Sequence, residues 1–178
     1  KDMNCEFRTL HDSDVSKEYV DGLRQQNLYL MNTSKTVSIT SQKKYINDIL
    51  GSKDDTICGL FFNNKLVGTA GVQSSTSFIK YIKYPVEYVA VMGIFVFNKS
   101  YRGRGLGKTL VWASTYLFHD STQTEWFGAG MKQQNIPSLK SFLSCGFKCV
   151  YEDGQRCHVL LKYSGMIRPD FIYDVELI

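Results

Sequence analysis

Between Arg102 and Thr109 the chain reads Arg-Gly-Arg-Gly-Leu-Gly-Lys-Thr, with glycines at 103, 105 and 107 set among three cations. Glycine allows positive φ and close backbone approach, so successive amides can turn toward one anion. An apolar run from Met92 to Phe97 precedes this stretch. A helical pattern follows it, with Leu110, Val111, Ala113, Ser114, Leu117 and Phe118 on its apolar face. Strand, glycine loop and helix N-terminus together form an anion site. The chemistry implied is the holding of a pyrophosphate.

Three phosphate-binding patterns compete for this loop. A nucleotide P-loop needs a glycine where Arg102 stands, and no apolar run ending in a magnesium-holding Asp accompanies it. A dinucleotide fingerprint needs a glycine at 108, where the chain has Lys108. The third pattern, Arg/Gln-x-x-Gly-x-Gly/Ala, is met at every position by Arg102, Gly105 and Gly107. At this loop the chain resembles the GNAT superfamily of acyl-CoA-dependent N-acetyltransferases. The segment from Asn135 to Phe147 resembles that family's next strand end, short helix and Gly-Phe entry. The front of the chain, Cys5–Leu10 with Asp12 and Asp14, Ser41–Ile46 and Gly59–Thr69, resembles its RimJ/RimL-like branch. The likeness runs to about Tyr163 and leaves 164–178 as an extension of unassigned role.

The resemblance implies acetyl-CoA as co-substrate, no metal, and direct transfer of acetyl to an amine. Backbone N–H groups of Arg104, Gly105, Gly107 and Lys108, with Arg102 and Gly103 beside them, would hold the pyrophosphate. Phe95, Val96 and Phe97 would pair with the pantetheine arm, and Asn135 would bond the arm or the sheet edge. An N–H near Ile94 or Phe95 would meet the thioester oxygen as it becomes negative. The amine must lose a proton, and Glu87 is the candidate base; the alternative is a surface carboxylate. His158 and His11 are weaker candidates. Many family members carry a Tyr where this chain has Phe142, which cannot donate. Ser138, with Ser141 next, is the candidate donor to the leaving thiolate, or water serves, because a thiol of pKa about 8.5 leaves readily.

Composition frames these readings. The chain has 178 residues, 43% hydrophobic and 21% charged, and a formal net charge of +4. That length suits one domain with a sizeable core. The longest apolar run is too short to span a bilayer, and no signal peptide is visible. The mild positive charge suits an anionic ligand and lacks the basic face of a nucleic-acid binder. Five cysteines without a disulfide or zinc spacing read as reduced, cytoplasmic thiols. A zinc site at Cys145, Cys149, Cys157 and His158 is the weaker reading.

Elements must position the loop. Strands are expected at Cys5–Leu10, Thr56–Phe62, Leu66–Gln73, Val86–Phe97, Glu125–Met131, Phe147–Glu152 and Arg156–Tyr163. Asp170–Leu177 makes one more strand or stays irregular. Helices are expected at Val15–Arg24, capped by Asp14, at Ser41–Leu50 with Tyr45, Ile46, Ile49 and Leu50 inward, at Gly105–His119 and at Ile136–Leu143. Asn63-Asn64 and Asp153-Gly154 mark hairpins. The fold expected is mixed α/β (α+β): a central, mostly antiparallel sheet splayed at its middle strands, with about four helices. Acceptor specificity falls to 25–40, 74–84 and the tail, with Tyr29, Tyr81, Tyr84, Arg24 and Lys80. These favour an amino sugar, free or nucleotide-linked. A protein N-terminus and a non-catalytic coenzyme A-binding module are the alternatives, and a homodimer is admitted.

Overall fold

The computed structural model describes residues 4–29 and 37–178, with backbone alone at 27–29. In chain order the elements are β1 (Asn4–Thr9), α1 (Lys17–Tyr29), α2 (Ile39–Leu50), β2 (Asp55–Phe62), β3 (Lys65–Ser75), β4 (Val89–Val96), α3 (Leu106–Thr122), β5 (Trp126–Lys132), α4 (Ile136–Ser144), β6 (Lys148–Glu152), β7 (Arg156–Lys162) and β8 (Asp174–Leu177). The strands form one eight-stranded sheet in the order β6-β7-β5-β4-β3-β2-β1-β8. Neighbours are antiparallel except β4/β5 and β1/β8. This is the mixed α/β architecture expected.

Local chemistry explains the boundaries. Asn63 and Asn64 both take positive φ, 49° and 61°, and turn β2 into β3. Ser38 caps α2 and exchanges hydrogen bonds with Ser41. Two expectations are corrected. The Ser16 hydroxyl accepts from Tyr19 N at the start of α1, while the Asp14 carboxylate pairs with Arg8 at 2.8 Å. The inward face of α2 is Gln42, Ile46 and Ile49; Tyr45 and Leu50 face outward.

Alternation along the strands divides the core. Met92, Phe127, Ala129, Val159 and Leu161 pack under α3 and α4 with Leu110, Val111 and Phe142. On the opposite face Ile57, Phe61 and Phe97 pack under α1 and α2 with Tyr19, Val20 and Ile46. A separate cluster there, Phe78, Val86, Val89 and Leu160, sits under the Ser77–Tyr81 turn.

The feature that makes the site is the parting of β4 from β5. Their pairing is confined to Ala90↔Phe127 and Val91↔Gly128. On its other side β4 stays paired with β3 as far as Val96↔Gly68. From Met92 onward, therefore, one edge of β4 has no strand beside it. The expected extension is part of the sheet: β8 pairs with β1, Ile167 N donates to Cys145 O at 3.0 Å, and Ile178 N donates to Phe7 O at 3.0 Å.

Candidate active site

The glycine loop lies directly beyond β4. Gly103 and Gly105 adopt φ of 75° and 77°, and Gly105 stands as N-cap of α3. The first amide of this helix to find an acceptor is Thr109 N, bonded to Gly105 O at 3.3 Å. Among the described residues, the N–H groups from Gly103 through Lys108 donate to no other group. Unpaired amides at the positive end of a long helix make an anion cradle. Gly107 is needed for another reason: a Cβ there would collide with Ser141 Oγ of α4.

The cradle opens into a cleft of about 790 Å³ formed where the sheet parts. Of the expected cofactor residues, Phe95, Val96, Phe97, Arg102, Gly103, Gly105, Gly107 and Asn135 line it; Arg104 and Lys108 do not. The Arg104 guanidinium lies 5.4 Å over the Tyr101 ring, and Arg102 Nε donates to Val96 O at 3.2 Å. Gly22 of α1, Lys99 and Lys140, which the sequence did not single out, complete the wall with Gln25 and Gln26 of α1, which the sequence placed in the acceptor segment. The α1 residues are distant in sequence and carry no motif. Lys140 shares a helix face with Pro137 and Ser141, a spacing that could have signalled it.

Asn135 caps α4, its Oδ1 accepting from Ser138 N at 3.4 Å. Ser138 and Ser141 both line the cleft, and the Ser141 hydroxyl donates to Pro137 O at 3.0 Å. Phe142 turns the other way, buried edge-on against Phe147 with ring centroids 5.1 Å apart. Glu87 is not brought to the cleft. It lies before β4 and lines another hollow, with Lys53, Asp54, Tyr88 and Glu125. Seven residues of largely extended chain from Glu87 to Ile94 span on the order of 20 Å.

Other candidates are resolved by position. His158 is buried on β7, stacked on Tyr81 with centroids 3.8 Å apart, and its Nδ1 has no partner. Burial first, then the charges of Arg156 and Lys80, hold its pKa below the ordinary value, opposed by Asp153. His11 lies at the exposed turn after β1. Cys145 and His158 stand apart from Cys149 and Cys157, whose sulfurs are 3.3 Å apart across the β6–β7 hairpin. Glu152 joins that pair, with all three ligand atoms within 4.8 Å. All five cysteines are free thiols. The side chain of Tyr29 and residues 30–36 lie outside the described residues.

The site fits coenzyme A on its own features. The free amides suit a pyrophosphate, Lys99, Arg102 and Lys140 offer charge for phosphates, and the bare edge of β4 suits an amide-bearing arm. No described helix is long and apolar enough to cross a membrane.

Comparisons agree with this geometry. No curated protein matches the sequence. Among solved structures, YncA of Salmonella typhimurium, a putative acetyltransferase with acetyl-CoA bound, superposes with a TM-score of 0.66 at 17% identity, covering 93% of this chain and 98% of that one. AAC(6')-Ib in complex with ribostamycin and coenzyme A gives 0.70 at 16% identity, covering 91% and 95%. The N-acetyltransferase PseH of Campylobacter jejuni, with acetyl coenzyme A, gives 0.60 at 12% identity, covering 88% and 98%. The model of the acetyltransferase (GNAT) family matches residues 24–147. The chain belongs to that family and is an acyltransferase whose co-substrate is acetyl-CoA.

Proposed function

We propose that this enzyme moves acetyl from acetyl-CoA to the primary amine of a small molecule, an amino sugar either free or nucleotide-linked. The observation that carries the reading is the row of undonated amides from Gly103 to Lys108 beside the unpaired edge of β4. Bound acetyl-CoA supplies an activated acetyl thioester. The chain's residues do the rest. The amides of Gly103, Gly105 and Gly107 hold the pyrophosphate, and Arg102 adds charge. Arg104 and Lys108 contribute their backbones, since their side chains do not line the cleft. Phe95 and Val96 offer backbone groups along the arm, and Phe97 closes it from α1. An N–H at the Ile94–Phe95 step faces the carbonyl oxygen. Asn135 fixes the start of α4, and Ser138 there donates a proton toward the departing sulfur, with Ser141 one turn on.

For the base the proposal is a remote one. About 20 Å of strand separates Glu87 from the Ile94 end of β4, so it takes the amine's proton through a relay of several waters along the strand. Glu87→Gln tests it: a fall in kcat of about tenfold or more with an altered acidic limb of the pH profile is expected. An unchanged profile assigns the proton elsewhere.

The acceptor class rests on Tyr81 and Tyr84 with Lys80 beside the sheet, and on the precedent of an aminoglycoside acetyltransferase in complex with kanamycin within the same fold. The likeness to the RimJ/RimL-like branch admits both a protein N-terminus and a sugar amine, and that branch, cytoplasmic residence and a homodimer are part of this proposal. Calorimetric titration with acetyl-CoA, followed by thiol release over amino sugars, their nucleotide conjugates and peptides, tests the whole. Binding with turnover of a sugar amine is expected. Turnover of peptides alone would overturn the acceptor class. Binding with no turnover on any amine would leave only a coenzyme A-binding module.

A further inference from the structure

The amine must reach the thioester from outside the cofactor cleft. Because Met92, Ala129, Met131, Cys157 and Val159 lie under α3 and α4, alternation puts Gly93, Gly130, Lys132, Arg156 and His158 on the other face. There α1 and α2 cover one side and the Phe78 turn the other. Between them the parting of β4 and β5 is bare. Gly93 and Gly130 are exposed although both belong to central strands. A Cβ on Gly93 would meet no atom within 4 Å. The nearest atoms to one on Gly130 are those of the His158 ring, at 3.0 Å, and Arg156 Nη2, at 3.8 Å. The open strip left between the two covers, floored by Gly93 and Gly130, adjoins the stretch of β4 that borders the cleft and is the channel an acceptor would use.

Cations outnumber carboxylates along this channel. Lys132 and Arg156 are Cα partners across β5 and β7. Lys80 lies 4.9 Å from the centroid of Tyr81, the ring that stacks on His158. Among the described residues none of these three cations is in an ion pair. The nearby carboxylate is Asp153, whose Oδ1 is already engaged by Gln155 N and Arg156 N at 2.9 and 2.8 Å. His158, buried with an unpartnered Nδ1, adds a polar wall.

We infer that this channel binds an amine that also carries a phosphate group, held by Arg156, Lys132 and Lys80 while the amine lies over Gly93. The inference rests on the acetyl-transfer reading. A guanidinium binds phosphate in bidentate fashion, and two lysines beside it add charge without competing for the same oxygens. A polycationic acceptor would face three unpaired cations, so the channel disfavours an aminoglycoside. A sugar phosphate monoester and a nucleotide diphosphate offer the same chemistry, and the test separates them.

Thiol release from acetyl-CoA would be compared on glucosamine, glucosamine 6-phosphate, UDP-glucosamine and kanamycin. One phosphorylated amine should exceed glucosamine in kcat/KM by about tenfold or more, with kanamycin below both. Which of the two leads distinguishes a monoester from a diphosphate. Arg156→Gln should cut that preference about tenfold through KM, while the acetyl-CoA Kd stays within about twofold, which checks folding. Equal or better use of glucosamine or kanamycin would overturn the inference, as would a preference that survives Arg156→Gln. If no amine turns over, calorimetry of the two phosphorylated amines on enzyme saturated with coenzyme A decides, and absence of binding overturns it. Failure of acetyl-CoA itself to bind would instead sink the acetyl-transfer reading.

Discussion

Gly105 adopts φ of 77°, so the backbone itself favours glycine there; the nearest atom to an added Cβ is Lys108 Cε at 2.9 Å, the movable end of a flexible side chain. Gly105→Glu adds a carboxylate where the amides converge. Acetyl-CoA affinity should fall at least about a hundredfold by calorimetry, while strain costs only about 1–2 kcal/mol of stability in urea. Retained affinity would refute the cradle. His158 permits a different test. Its folded pKa lies below its unfolded value of 6.5, so the unfolded state binds the extra proton. The neutral ring's contribution is therefore complete above pH 6.5 and declines as pH falls from there toward the folded pKa. His158→Gln should flatten that part of the stability–pH curve in urea titrations, and an unchanged slope would contradict it. At this scale the sequence was legible where a motif dictates backbone shape, as at Arg102, Gly105, Gly107 and Asn135. It was not legible where a side chain's direction decides. Phe142 and Ser141 are adjacent, yet one enters the core and the other lines the cleft.

Among the elements, the Asn63-Asn64 hairpin and the run from β4 into α3 could be read from the sequence because their signals are local. The extension could not. Tyr173 is buried beside β8 and donates to Gly105 O at 3.2 Å, with Thr109 Oγ1 in contact with the same hydroxyl. Its ring meets Phe62 edge-on and stacks against Phe171, which packs on Trp112. A residue 68 positions away thus fixes the carbonyl at the N-cap of α3. Burial pushes the Tyr173 phenol up to about 12, so it remains a donor at neutral pH. Tyr173→Phe should weaken acetyl-CoA binding several-fold and cost about 1–2 kcal/mol, because the buried partners lose their bond. An unchanged Kd alongside that loss of stability would show that the phenol supports the fold and not the cradle. No local pattern announces such a contact, since pairing at long range leaves no periodicity.

Across the whole molecule, one sheet is asked to hold two substrates. The parting after Val91 and Gly128 leaves backbone unpaired at the centre of the sheet, where most folds would fill it. In the proposed function acetyl-CoA takes the place of the missing strand. Its binding should slow amide hydrogen exchange at the end of β4 and in the glycine loop, and, through Tyr173, in β8. Protection confined to the loop would separate the extension from the site. The splayed architecture was legible only through family likeness, because composition and periodicity say nothing of where two strands diverge.

The parallel pairing of β8 with β1 also has a consequence for synthesis. β1 is made well before the strand that covers its outer edge among the described residues, 174–177. Until those have left the ribosome, β1 presents an open edge, a surface prone to wrong partners. Gly105 O likewise lacks the phenol that bonds it. The anion cradle is translated well before the segment that anchors it, so competence for acetyl-CoA waits on residues 173–177 and does not arrive with the motif that encodes it.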